Sequence, residues 1–277
     1  MAPGLPQAGA PFRIPSLKSC DNKRPRRKRE VSLMWNCKGK MFVAVGLALG
    51  LSLAAPATAE DKAPPPPYQQ ANAYTVTIAV QWDEAVRDLL PAGLQPVDGM
   101  SGGINIYTAP DGYGLAPYTA AYTYVSVAGY DAPGGTQARY ILGGFYGPDP
   151  KVAAAMRDNY GSNVQAGESR QMAAGDAWQG VGGADGKATL KVTVRPKGGD
   201  CPRIQGTLNY VGEPADAKAF SLLQIPFVGD FCAGDPVSVE IDAPGDDVLG
   251  KLKVVKMLGG GQLKNGHFSF SRPLPTE

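Results

Sequence analysis

The amino-acid sequence predicts a mostly β domain with few short helices, closed into an antiparallel β-barrel or wrapped sheet. About ten segments alternate apolar and polar residues, or run through Val, Ile, Tyr and Thr, as strands do. Asp-Gly, Gly-Gly and Asn-Gly pairs separate several of them. Only Glu84–Leu90 and Lys151–Asn159 favour helix, too little for alternating βαβ units, and no internal repeat is present.

The first 59 residues stand apart from that domain. Residues 1–40 carry ten Lys/Arg against two acids, Asp21 and Glu30. An apolar run, Met41–Ala55, follows, then Pro56-Ala57-Thr58-Ala59 before Glu60-Asp61. A basic flank, a short apolar core and small residues at a cut site spell a secretory signal peptide, with cleavage expected after Ala59. The run is short for a bilayer span, so no stable membrane span is expected once it is removed. Met1, Met34 and Met41 all stay open as the start. The expectation is an exported protein, periplasmic or secreted.

The whole chain has 27 Lys/Arg and 25 Asp/Glu; removing the leader's ten bases and two acids leaves 17 against 23. A mildly acidic remainder lacks the basic footprint that nucleic acid requires, so no such partner is expected. Cys20 and Cys37 leave with the leader. Cys201 and Cys232 remain, and two cysteines in an oxidising compartment predict one disulfide. His267 is the sole histidine, which rules out multi-histidine metal sites and leaves a Ser-His-Asp hydrolase without its Gly-x-Ser-x-Gly elbow. No metal and no cofactor is expected.

Residues 60–73 read as a linker stiffened by Pro64–Pro67, ahead of a single domain over 74–277. Tyr74–Trp82 alternates as a strand, and Asp83 is placed to cap the helix Glu84–Leu90, which Pro91-Ala92-Gly93 stops. Gly103–Thr108, the turn Asp111-Gly112, the long strand Tyr118–Ala128 and the turn Pro133-Gly134-Gly135 follow. A strand over Tyr140–Tyr146 ends at Gly147-Pro148. Asp149 then suits an N-cap, Pro150 the first helical position and Gly161 a left-handed C-cap for the helix between them. Asp185-Gly186 joins Asp176–Val181 to Lys187–Arg195 as a hairpin. Further strands are expected at Arg203–Val211, Phe220–Val228, Val237–Ile241 and Leu249–Leu258, with Asn265-Gly266 turning into a last one at His267–Ser271.

The stretch Met156-Arg157-Asp158-Asn159-Tyr160-Gly161-Ser162-Asn163-Val164-Gln165 resembles the hallmark of the acetoacetate decarboxylase family, Gly-Arg-Glu followed after an aromatic and a glycine by Pro-Lys-Lys. Arg157, Asp158, Tyr160 and Gly161 keep the residue types. Val164 falls where the family's Schiff-base lysine lies, and Gln165 where that lysine's neighbour lies. Leu89–Leu94 is similar to a family helix ending in leucine–proline–glycine. Ala116-Pro117-Tyr118 is similar to a Gly-Pro-Tyr motif that a glutamate follows, with Ala120 near the acid's place. The resemblance spans most of residues 74–272 and implies a β-rich closed barrel with few helices.

Chemistry in that family needs a lysine amine, neutral near pH 7, that attacks a ketone to form an imine. Valine is no nucleophile and glutamine cannot depress a pKa. The resemblance therefore implies the scaffold and a small organic ligand, a keto acid or ketone-like molecule, without the imine. Arg157 reads either as a guanidinium fork for a carboxylate or carbonyl in the barrel mouth, with Asp158 beside it, or as a partner of an acid or of the helix end. Tyr118 and Tyr122, with Tyr124, share a strand face that lines a pocket or packs a wall. Lys256 is in phase with Leu252, Val254 and Leu258, as a substitute lysine should be, unless a bulge at Val254-Val255 returns it to solvent. Three functions stay open: ligand binding without catalysis, a lyase using Lys256 or acid–base work by Asp158, and a structural or partner-binding envelope protein whose barrel is filled. The oligomeric state is open too.

Overall fold

The computed structural model describes residues 62–214 and 219–276, so the expected signal peptide and its cleavage site lie outside the described residues. The first strand, β1 (Tyr68–Trp82), begins within the segment expected as linker. Tyr68 is fully buried and its hydroxyl donates to the Pro64 carbonyl at 2.7 Å, which ties the proline stretch to the domain. The segment expected as the first helix is a 3-10 turn, Glu84–Leu89, and the Asp83 side chain makes no capping bond.

Next come β2 (Ser101–Ala109), β3 (Asp111–Tyr113), β4 (Tyr118–Ala132) and β5 (Thr136–Gly147). Helix α1 (Pro150–Tyr160) has the expected caps: the Asp149 carboxylate accepts from the Lys151 N–H at 3.0 Å, and Gly161 closes it at φ 61°. An added Cβ at Gly161 would lie 2.2–2.5 Å from Glu213 backbone atoms, so space as well as φ demands glycine. Then follow β6 (Gln165–Ala166), β7 (Glu168–Ala174), β8 (Ala177–Gly183), β9 (Thr189–Pro196), β10 (Arg203–Gly212), β11 (Ser221–Asp242), β12 (Val254–Phe270) and β13 (Leu274–Pro275).

Two expected pairs of strands are single long ones. Phe220–Val228 and Val237–Ile241 merge in β11, whose first half pairs with β10 and whose second half pairs with β9. Asn265-Gly266 is an irregularity inside β12, with Asn265 at φ 49°, and is not a hairpin turn. Both strands bend through register shifts instead of ending, because each is shared between neighbours that keep its backbone groups bonded.

The strands in the order β10-β5-β4-β2-β1-β12-β11 close on themselves through the β10–β11 ladder. The ring is antiparallel except at β10–β5, a short parallel pairing of Tyr210 with Arg139 and Val211 with Tyr140. From the second half of β11 the sheet continues through β9, β8 and β7, which folds back over β2 and β4. There the Ser169 hydroxyl contacts the Tyr107 and Ala120 carbonyls at 3.2 and 3.0 Å.

Two apolar clusters result, one on each side of the ring. Val76, Ile78, Ile104 and Ile106 face Leu190 and Val192 of the covering layer. Tyr107, Tyr118, Tyr122, Tyr146 and Tyr210 point the other way, into the ring, where Met156 and Tyr160 of α1 join them. Period-2 alternation makes this split, so β2, β4 and β5 are largely buried on both faces, while β1 is buried on the covered face and half-buried on the ring face.

Cys201 and Cys232 form the expected disulfide, Cα–Cα 4.3 Å, between the approach to β10 and the middle of β11. It closes 31 residues of chain across the ladder that seals the ring. Reduction, or a Cys201→Ser/Cys232→Ser double variant, is expected to lower stability by about 2–4 kcal/mol. Urea unfolding with and without dithiothreitol measures this; coincident transitions would show that the ring closes as firmly without the bond. Among the described residues no helix is long and apolar enough to cross a membrane.

Candidate functional site

The ring holds a cavity of about 210 Å³. β2 supplies Asn105 and Tyr107 to its wall, β4 supplies Tyr122 and Tyr124, β5 supplies Arg139, Ile141 and Tyr146, and β10 supplies Leu208 and Tyr210. Leu223, Ile225, Phe227 and Phe231 of β11 and Leu263, Phe268 and Phe270 of β12 also line it, and Met156 reaches in from α1. Tyr107, Tyr146 and Met156 are buried, whereas Asn105, Arg139 and Leu208 are partly exposed, as are Phe227, Phe231, Leu263 and Phe268, so Arg139 is one of several lining residues at which the cavity reaches solvent.

One polar chain crosses this apolar space. The Thr77 hydroxyl donates to Asn105 Oδ1 at 2.6 Å, and Asn105 Nδ2 donates to the Tyr122 hydroxyl at 2.9 Å. The Tyr122 and Tyr210 hydroxyls are 2.9 Å apart, and Arg139 Nη1 donates to the Tyr210 hydroxyl at 3.1 Å. Donors therefore stand at both ends. The two hydroxyls need only one proton between them, which leaves the second for an acceptor from outside the chain.

Arg139 stacks on aromatic faces, its guanidinium carbon 4.3 Å from the Tyr124 ring centroid and 5.7 Å from that of Tyr210. No Asp, Glu or Lys is among the described residues that line the cavity. Burial works to lower the Arg139 guanidinium, and the facing Tyr124, Tyr210 and Tyr122 outweigh it, so its pKa is raised and it stays a cation. Burial likewise pushes the Tyr122 hydroxyl well above its usual range, with Tyr210 and Tyr146 adding to the rise. Tyr107 and Tyr146 are held protonated in the same way, by burial first. The site is a set of neutral hydroxyls and one cation aimed at an apolar void, which suits it to receive an anion with an apolar body.

Solved structures share this architecture. Acetoacetate decarboxylase from Legionella pneumophila superposes with a TM-score of 0.61 over 81% of this chain and 93% of its own, at 14% identity. The enduracididine biosynthesis enzyme MppR complexed with pyruvate does so at 0.56, over 82% of this chain and 96% of its own, at 16% identity. An acetoacetate decarboxylase-like enzyme from Sphingomonas wittichii gives 0.53, over 76% and 92%, at 17% identity. The chain has the acetoacetate decarboxylase-like fold. No family model matches the sequence, and no curated protein does.

Within that acetoacetate decarboxylase-like fold the residues singled out from sequence scatter. Tyr122 lines the cavity. Tyr118 lies behind its wall, its hydroxyl 2.9 Å from that of Tyr107 and its ring stacked on Tyr146 with centroids 6.0 Å apart. Arg157 and Asp158 are exposed on α1, outside the cavity lining, and Arg157 Nη1 donates to the Val164 carbonyl at 3.1 Å. Val164 is buried among the residues that fill the ring, and its wall faces a separate surface cleft formed with Gly143, Asn163 and Val248. Gln165 accepts from Lys187 Nζ at 3.0 Å. Ala120 is fully buried.

Lys256 is exposed. The β1–β12 ladder slips between Gln81↔Lys256 and Trp82↔Val254, so Val255 is an extra residue and the alternation that pointed Lys256 inward is broken there.

Sequence reasoning missed Arg139 and Tyr210. Arg139 did leave a signal, as the one charged residue of the strand, in phase with Ile141 where the run from Ala138 is otherwise without charge or amide. Nothing local marked that face of β5 as the interior one, because Ala138, Tyr140 and Leu142 on the other face are buried as well.

Proposed function

We propose that this protein is an exported binding protein that receives a small organic carboxylate in the barrel cavity, anchored on Arg139, without imine chemistry. The observation that carries this reading is the Arg139–Tyr210–Tyr122–Asn105 chain. It ends in a cation without a carboxylate partner among the described residues and keeps one hydroxyl proton unassigned. The cavity's described lining supplies no amine, which agrees with Val164 and Gln165 standing at the family's lysine positions. Export rests on the leader sequence and accords with the disulfide. A filled structural barrel accords less well with a cavity of about 210 Å³.

Calorimetric titration with keto acids and simple carboxylates tests the reading. Arg139→Gln is expected to weaken binding by about 10- to 100-fold, the worth of a hydrogen bond to a charged group. Equal affinity in wild type and variant would remove the anchor.

A lyase on the same scaffold is the competing reading, drawn from the enzymes that share the fold. Its candidate groups, Lys256 and Asp158, both lie at the surface. Incubation with keto acids and borohydride, followed by intact mass, decides between the two: no adduct is expected, and a covalent adduct would establish an imine.

A further inference from the structure

We propose that the ligand is a monoanionic aryl carboxylate, a single aromatic ring carrying one carboxylate, which deepens and rests on the carboxylate-binding reading above. Size supports one ring. An apolar cavity of about 150 Å³ takes up benzene, and this one, at about 210 Å³, has room for a ring and a carboxylate. A four-carbon keto acid would leave much of the apolar wall facing empty space, where lining atoms lack partners.

Rings of the wall meet edge to face in most pairs, although Tyr122 and Tyr146 lie nearly parallel at 17°. Tyr107 meets Tyr122 at 89°, Tyr146 at 84° and Phe268 at 83°, with centroids 5.7–6.3 Å apart. Tyr210 meets Tyr122 at 76°. An aromatic guest continues this arrangement and gains the edge-to-face attraction between ring quadrupoles in addition to its buried area, whereas an alkyl chain gains the area alone.

Charge restricts the guest to one anionic group. Arg139 is the only ionic residue among those described as lining the cavity, and it is partly exposed. Its remaining N–H groups and the spare proton of the Tyr122–Tyr210 pair, which Arg139 joins through the Tyr210 hydroxyl, are the donors left for an acceptor beside Arg139. A second carboxylate or a phosphate would be desolvated in the apolar part without a partner, so dianions are disfavoured. The guest thus lies with its carboxylate at Arg139 and its ring toward Phe268 and Tyr146.

The test uses the disulfide-intact protein and titrates benzoate, phenylacetate, hexanoate, acetoacetate, succinate and the neutral benzyl alcohol by calorimetry. The expected result is that benzoate or phenylacetate binds about tenfold or more tighter than hexanoate and acetoacetate. Both aryl acids should lose at least about tenfold with Arg139→Gln and recover in part with Arg139→Lys. Phe268→Leu, which keeps an apolar wall and leaves the polar chain intact, should narrow the gap between benzoate and hexanoate; melting curves confirm that each variant is folded. Hexanoate or acetoacetate binding as tightly as the aryl acids, still dependent on Arg139, overturns the aryl class and leaves the carboxylate site standing. Benzyl alcohol or succinate matching benzoate overturns the single-anion requirement. No acid binding, or binding indifferent to Arg139, overturns both readings together.

Discussion

Replacing Trp82 with alanine is expected to lower the free energy of unfolding by about 3–5 kcal/mol. Trp82 ends β1, is 1% exposed and packs in the apolar cluster between the ring and its covering layer. Its indole N–H donates to the Tyr124 carbonyl at 2.9 Å, so it also pins β4 from the side opposite the cavity. Gly102 makes the room: a Cβ there would lie 2.3 Å from Trp82 Nε1 and 2.1 Å from the Tyr124 carbonyl oxygen. Alanine would remove the ring, leave a void that close-packed strands cannot collapse into, and release the carbonyl. For a domain of this length the shift in Tm is on the order of 10 °C. Trp82→Phe keeps most of the buried area and loses the N–H, so it should cost about 1–2 kcal/mol. Urea unfolding of both variants checks the order; an alanine variant within about 1 kcal/mol of wild type would mean that this cluster does not hold the two layers together.

Raising the pH above 10 is expected to unfold the domain cooperatively. Tyr107, Tyr118, Tyr122 and Tyr146 all have pKa values raised well above 10, in each case by burial first. Burial also pushes Tyr68 up to about 12. Their folded pKa values lie above the unfolded one, so below pH 10 both states are protonated and the contribution is complete. Above pH 10 the unfolded chain releases protons that the folded chain retains, and stability falls as pH rises. Each fully retained proton costs about 1.4 kcal/mol per pH unit, so the tyrosines together reach the scale of a whole domain's stability within one or two units. Tyrosinate absorbance at 295 nm should rise in a step that coincides with loss of the β circular-dichroism signal. Gradual ionisation of every tyrosine near pH 10 with the β signal intact would show that the ring interior is wet.

Much of the fold was legible before any strand was paired. Asp149, Pro150 and Gly161 marked both ends of α1 because caps are local chemistry: a carboxylate for free N–H groups, a ring that tolerates the first turn, a residue that accepts positive φ. The Asp185-Gly186 hairpin was legible for the same reason, and the Cys201–Cys232 pair because only two cysteines remain after the leader. Asn265-Gly266 misled because its turn chemistry is real, and the neighbouring strands use it as a bulge. For Lys256 the sequence offered two outcomes, and the bulge at Val254-Val255 is the one that forms: alternation counts residues, and Val255 shifts the count by one.

The candidate site was less legible than the scaffold. Tyr122 could be named because it repeats with Tyr118 and Tyr124 on one strand. Arg157 drew attention by its motif, and the structure places it outside, bonded to its own loop.

Local pattern was enough for the β class, the few short helices, the capped helix α1 and the disulfide, since each depends on residues near in sequence or on cysteine count alone. Which face of β5 is the inside was decided only by ring closure. Arg139 meets Tyr210 across 71 residues, through a parallel pairing that no turn specifies. Both faces of that strand are apolar and buried, so periodicity carries no sign of inside or outside. Contacts between distant strands select the one arrangement in which a lone arginine is solvated by tyrosines, and that arrangement defines the cavity.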